Sequence, residues 1–140
     1  MTEKGRSRKL DPLSESEMEL MKFLWRRGQA ATRDVQEAFR EEKGWAANTV
    51  RTFLRRMVEK GWLRYEQIGN SYLYKPAISQ AKATRGALRD VVRRMFDGGL
   101  SPVISLLGEA TALSEEDIEA LEKVVNEQRA RLSRKRKGKS

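Results

Sequence analysis

Between Trp45 and Gly61 the chain reads W-A-A-N-T-V-R-T-F-L-R-R-M-V-E-K-G. Within it Asn48, Arg51, Thr52, Arg55 and Arg56 bring together an amide, a small hydroxyl and three guanidinium groups. Guanidinium forks pair bidentately with guanine or phosphate and an Asn amide pairs with adenine, so this set suits nucleic acid better than a metal ion. Val50, Phe53, Leu54 and Met57 recur at i, i+3, i+4 and i+7, and Val58 widens the stripe. A helix that packs this stripe inward turns the cations outward, as a recognition helix does. A solvated basic face on an ordinary core helix would carry the same residues, so the elements around the stretch must decide.

Composition narrows the chemistry first. The 140 residues suffice for one domain, or for a small domain with an oligomerising appendage. A formal net charge of +9 makes a polyanion the default partner, because cations on a protein gain affinity by releasing the counterions of phosphate backbones. Nucleic acid leads and an anionic membrane surface trails; double-stranded DNA is the partner expected once the helix pattern below is added. No apolar run approaches the roughly 20 residues that span a bilayer, and M-T-E-K-G-R-S-R-K has no hydrophobic signal core. A cytoplasmic location without a membrane partner is therefore expected. The chain has no Cys and no His, which removes thiolate nucleophiles, disulfides, Ser-His triads and Cys/His zinc sites. Its 20 carboxylates fall on helical faces beside Lys and Arg, not in an apolar cleft that would tune them for acid–base work. Gly98-Gly99 lacks the spacing and the Lys-Ser/Thr ending of a phosphate loop. No enzyme activity, metal site or cofactor is expected.

The flanking elements supply a frame. Ser14 and Glu17 form a Ser-x-x-Glu capping box, and Leu13 can staple onto Met18. Met18, Leu20, Met21, Leu24 and Trp25 then make an apolar stripe that Gly28 ends. A second helix starts after Thr32 as its cap, buries Val35, Ala38 and Phe39, and stops near Gly44. Three short helices, the third with a cationic outer face, match the helix-turn-helix plan in which helix three enters the major groove. After Gly61, Trp62 to Gln67 and Ser71 to Lys75 alternate about a turn at Ile68-Gly69-Asn70, which predicts a β-hairpin. A helix-turn-helix with such a hairpin is a winged helix. Its wing tip would carry Asn70 and Ser71, with Arg64 and Lys75 beside it as phosphate contacts. Most of Trp62, Tyr65, Tyr72 and Tyr74 are expected to pack the core or its margin instead of stacking on bases.

The C-terminal half follows another pattern. Ala87, Leu88, Val91, Val92, Met95 and Phe96 lie on one amphipathic helix that begins near Ser79 and breaks at Gly98-Gly99. Ser101-Pro102 should cap and open a short helix bearing Val103, Ile104, Leu106 and Leu107 as far as Gly108. Ser114, followed by Glu115, Glu116 and Asp117, starts a last helix with Ile118, Leu121, Val125 and Leu132 at near-heptad spacing. Helices this lean do not bury their apolar faces alone, so a second copy of the chain is the simplest partner. The expected fold is mainly α with a small β-hairpin: a winged helix-turn-helix domain plus a C-terminal helical dimerisation domain. The boundaries read as a flexible basic arm at 1–10, the winged helix at 11–77, the dimerisation domain at 78–132 and a disordered basic tail at 133–140.

With W-x-x-N-T-V-R-T-F-L-R-R-M, the hairpin ending in Tyr72-x-Tyr74-x-Pro76 and the L-S-E-E-D-I-E-A-L-E segment in place, the chain resembles the penicillinase-repressor family of the BlaI/MecI type over about Leu13 to Gln128. The resemblance implies a dimeric repressor with winged helices on a palindromic operator and intertwined C-terminal helices. It places DNA contacts at Asn48, Thr49, Arg51, Thr52 and Arg56. Asn48 stands where members often have Lys, and Ala46 and Ala47 replace the usual capping Ser and first-turn Pro. Members cleaved for inactivation are cut at an Asn-Phe bond in the short C-terminal helix, where this chain has Leu106-Leu107. Copper-responsive members carry Cys-x-Cys, which is absent here. An inactivating protease or sensor thus stays an unidentified partner. The expected function is a sequence-specific DNA-binding transcriptional regulator, a dimeric repressor on its operator. Arg51, Asn48 and Thr52 would read bases, and Arg55, Arg56 and the wing would hold phosphates. A winged-helix protein-docking module and a non-specific nucleic-acid-binding protein are the alternatives.

Overall fold

The computed structural model describes residues 10–97 and 99–139. Of the expected N-terminal arm only Leu10 falls among them. The elements run α1 (Glu15–Arg27), β1 (Ala30–Ala31), α2 (Thr32–Lys43), α3 (Ala47–Glu59), β2 (Leu63–Ile68), β3 (Ser71–Pro76), α4 (Gln80–Met95), α5 (Ser101–Ala110) and α6 (Glu115–Lys139). They form two compact units, one through Ala87 and one from Leu88.

In the first unit the three helices close around one core. Leu20, Met21 and Leu24 of α1, Val35 and Phe39 of α2, and Val50, Leu54 and Met57 of α3 are buried, together with Ala30, Leu63 and Tyr74 from the strands. The α1 start is the capping box read from the sequence: Glu17 N–H donates to Ser14 Oγ at 3.1 Å and Ser14 N–H to Glu17 Oε1 at 2.8 Å. Leu13 and Met18 both pack against the core beneath it.

Three local expectations are corrected. Thr32 does not cap α2; Ala31 is the N-cap, without a side-chain bond, and the Thr32 hydroxyl donates to Tyr72 O at 3.4 Å. The cause is β1, a two-residue strand too short to show a pattern. Ala30 and Ala31 pair with Tyr74 and Leu73, so Ala31 is already extended when the helix begins. The sheet is therefore three-stranded, in the order β1-β3-β2. The hairpin turn is also tighter than expected, because Ile68 pairs with Ser71 and leaves Gly69-Asn70 as a two-residue loop, with Gly69 at φ 62°.

In the second unit Leu100, not Ser101, is the N-cap of α5, and the helix runs past Gly108 to Ala110. Ser114 caps α6 reciprocally with Asp117, at 3.0 and 3.1 Å. The segment 133–139, expected as a disordered tail, continues α6. Lys and Arg are good helix formers, no Pro interrupts them, and cations near a helix C-terminus oppose its dipole. Of the residues read as a dimer interface, Leu88, Val91, Met95, Leu106, Leu107, Ile118, Leu121 and Val125 are exposed in the single chain, and Val92, Phe96 and Val103 are partly covered. Gly98 of the expected helix break lies outside the described residues.

Candidate nucleic-acid interface

The outward face of α3 is positioned from both ends. At its start Ala46 is an N-cap with no side-chain bond, and aromatic packing replaces the cap. Trp45 stacks on Phe39 with centroids 5.2 Å apart and meets Phe53 edge-on at 5.4 Å. Gln36 Nε2 adds a hydrogen bond to Ala47 O at 3.1 Å. At its end Lys60, the C-cap, donates from Nζ to Glu17 Oε1 at 2.6 Å. Glu17 is buried. Burial pushes its carboxyl up, but the Lys60 ammonium and the Ser14 hydrogen bonds outweigh this and hold it below the usual carboxylate range. Gly61 follows at φ 91°, and a Cβ there would come within 3.1 Å of Leu10 Cδ2, so the reversal from α3 into β2 requires glycine.

Between these anchors Asn48, Thr49, Arg51, Arg55 and Arg56 are exposed. Among the described residues no carboxylate pairs with any of the three arginines. Their guanidinium donors are therefore open to a ligand. Thr52 is partly covered, and its hydroxyl donates back to Asn48 O at 3.0 Å, which occupies its proton.

The wing divides the remaining expected residues by face. Strand alternation puts Leu63, Tyr65 and Gln67 on one side with Tyr72, Tyr74 and Pro76, and Arg64, Glu66 and Ile68 on the other with Ser71, Leu73 and Lys75. The tyrosine side looks at α3. Arg51, Arg55, Val58 and Glu59 line one wall of a groove of about 370 Å³, and Tyr65, Tyr72, Tyr74 and Thr32 line the other. Arg64 and Lys75 thus lie on the face turned away from α3, and Lys75 is engaged by Glu66 at 3.4 Å. Asn70 and Ser71 are exposed at the tip.

The tyrosines depart from expectation. Tyr74 is buried and Trp62 is partly buried, with its indole N–H donating to Asp11 O at 2.7 Å. Tyr65 and Tyr72 stay 53% and 41% exposed, which is too open for core packing. Their rings contact each other at 5.2 Å and Tyr74 at 6.0 and 6.5 Å, forming one aromatic patch. Burial raises the Tyr74 phenol above its ordinary value; Tyr72 and Tyr65 act in the same direction, while Arg55 and Arg51 oppose. The signal that could have exposed this patch was the alternation itself: 65, 72 and 74 share a face once the hairpin register is set.

A helix-turn-helix whose third helix turns arginines outward has the general plan of modules that place a helix in the major groove of duplex DNA. A family model of the penicillinase repressor matches residues 13–127. The chain belongs to the penicillinase repressor family. It is 26% identical to the penicillinase repressor of Bacillus licheniformis, over 89% of this chain and 97% of that protein. It is 22% identical to the methicillin resistance regulatory protein MecI of Staphylococcus aureus (strain N315), over 81% and 93%. The solution structure of the DNA binding domain of the repressor BlaI superposes with a TM-score of 0.50 at 28% identity, covering 53% of this chain and 90% of that domain. This family member is accordingly a DNA-binding regulator of the repressor type, built on a winged helix-turn-helix. Among the described residues no helix is long and apolar enough to cross a membrane.

Proposed function

We infer that the chain is a homodimeric repressor that silences transcription by occupying a two-fold symmetric operator. One observation carries this reading: α3 presents Asn48, Thr49, Arg51, Arg55 and Arg56 outward, with no ion pair to its arginines among the described residues, beside the Tyr65–Tyr72 patch. Arg51 and Asn48 read base edges in the major groove, and the Thr52 methyl suits a thymine methyl. Arg55 and Arg56 hold phosphates. The groove between α3 and the wing seats a sugar-phosphate strand, with the Tyr65 and Tyr72 hydroxyls donating to it. Glu59 in the same groove offsets part of the cationic charge and disfavours a second anion there. Asn70 and Ser71 extend the contact from the wing tip, while Arg64 and Lys75 contribute only long-range attraction.

The second copy is argued from the apolar residues left open along α4, α5 and α6. Leu88, Val91, Met95, Ile104, Leu107, Leu121 and Leu132 are each more than a third exposed, a surface larger than a monomer keeps without a partner. Two-fold pairing through these helices would present two recognition helices to two half-sites.

The test is a gel-shift series with Arg51→Ala on duplexes selected from a random pool and on scrambled ones. Loss of a base-reading Arg costs about 1–3 kcal/mol on the selected duplex and relaxes one position, with little change on scrambled DNA. Equal losses on both would overturn the base-reading role.

A further inference from the structure

The charge of this chain is distributed unevenly. Residues 129–139 read R-A-R-L-S-R-K-R-K-G-K, seven cations and no acid, while the remaining residues sum to only +2. This block lies beyond the part of the chain that the family model matches, which ends at residue 127. It is not a coil: α6 continues through it, and the residues from Arg129 to Lys137 are all exposed. We propose that this C-terminal extension of α6 is a second duplex-DNA contact, sequence-independent and separate from α3, that binds phosphates by charge alone. The proposal rests on the reading of the chain as a duplex-binding protein.

The helix geometry selects this partner over others. At 100° per residue Arg129, Arg131, Arg134, Lys135, Arg136 and Lys137 point to every side of the rod. Lipid insertion needs an apolar face, and Leu132 is the one large apolar residue in the block. Pairing with the acidic start of a second α6, at Glu115, Glu116, Asp117, Glu119 and Glu122, would neutralise one side and leave the others charged. The like-charged neighbours Arg131–Lys135 and Arg131–Arg134 repel one another along the helix, so a polyanion that surrounds them both gains counterion release and stabilises the helix.

The experiment compares the full chain with a chain ending at Gln128 and with a full-length variant in which Arg131, Arg134, Lys135, Arg136 and Lys137 are all replaced by Gln. Both variants are checked for unchanged helical signal from the remainder and for unchanged sedimentation. Affinity for selected and scrambled DNA duplexes is measured across salt. The slope of log affinity against log salt should become shallower, by up to about 4.5 per chain in the five-Gln variant and up to about 6 in the truncated chain, with the selected-to-scrambled ratio kept within about 3-fold. An unchanged slope overturns the proposal. So does a variant that sediments as a monomer with its slope unchanged, because the block would then serve self-association. Tail-dependent binding to anionic phosphatidylserine vesicles with no change on duplexes overturns it as well. A failure of the α3 reading looks different, since Arg51→Ala would then leave the selected-to-scrambled ratio unchanged while the tail variants still made the slope shallower.

Discussion

Replacing Glu17 by Ala should unfold the first unit well before the wild type, although Glu17 lies on α1 and not on α3. Three bonds meet at this residue: its carboxylate accepts from Lys60 Nζ at 2.6 Å and from Ser14 N–H at 2.8 Å, and its own N–H donates to Ser14 Oγ at 3.1 Å. Its side chain is 2% exposed and that of Lys60 is 27% exposed. The substitution removes only the half of the cap in which Ser14 N–H donates to the carboxylate, at a cost of about 0.5–1.5 kcal/mol, and keeps the Glu17 N–H bond to Ser14 Oγ. Loss of a charge-assisted bond costs about 1.5–3 kcal/mol, toward the lower end here because water reaches Lys60 and solvates it once its partner is gone. A total of about 2–3 kcal/mol lowers Tm by roughly 10–20 °C for a unit of this size. The pH dependence has a definite sign. The folded-state pKa of Glu17 is depressed, so its stabilisation is complete above the ordinary carboxylate value and is lost as pH falls through the lower folded value. Glu17→Gln keeps the shape but cannot ionise, so its stability relative to wild type should improve as pH is lowered from 6 to 3. Thermal melts followed by circular dichroism across that range decide the matter. A Glu17→Ala loss below about 0.5 kcal/mol, or parallel pH profiles for wild type and Glu17→Gln, would refute the reasoning.

Trp45→Ala removes two ring contacts from the uncapped start of α3 and should cost about 3 kcal/mol in urea melts, with a greater loss of operator affinity than of scrambled-duplex affinity at temperatures where the variant is folded. Tyr72→Phe deletes one hydroxyl from an exposed ring; it should weaken all duplexes alike by roughly 10-fold and leave Tm unchanged, as read by fluorescence anisotropy and melts in parallel. Val91→Asp with Leu121→Asp places charges on the open apolar surface. Sedimentation should show a dimer for the wild type and a monomer for this variant, with half-site binding retained.

Much of the architecture was legible because it rests on patterns longer than a turn. The α3 stripe, the Ser14–Glu17 box and the hairpin alternation each repeat a period or a spacing that only one local structure satisfies. What stayed hidden was set by tertiary pairing. Ala30 and Ala31 form a strand only because β3 is beside them, and that contact moved the start of α2 away from a Thr32 cap. The wing's faces depended on register in the same way. Arg64 and Lys75 are cations in the right element, but alternation turns them away from α3, whereas Tyr65 and Tyr72 are turned toward it. The extent of α6 was missed for a third reason: a like-charge block usually signals disorder, yet here it continues a helix whose C-terminal dipole favours cations.

These positions imply a division of labour within α3. The helix carries no side-chain cap at its start, and the three arginines of its outer face make no ion pairs with described residues, so neither a cap nor that face fixes its orientation. The fixing comes from the buried stripe of Val50, Leu54 and Met57, aided by the Phe39–Trp45–Phe53 stack at one end and the Glu17–Lys60 bond at the other. Base readout needs the helix axis held to a fraction of an ångström, because a bidentate fork loses a bond when it is displaced. Damage to either anchor should therefore reduce operator affinity and stability together, and specificity should fall before non-specific binding does. Changes at Arg51 or in the cationic end of α6 should alter DNA binding with little effect on stability. A set of variants in which operator affinity followed Tm at Arg51 but not at Trp45 or Glu17 would invert this assignment and make the outer face of α3 the structural element.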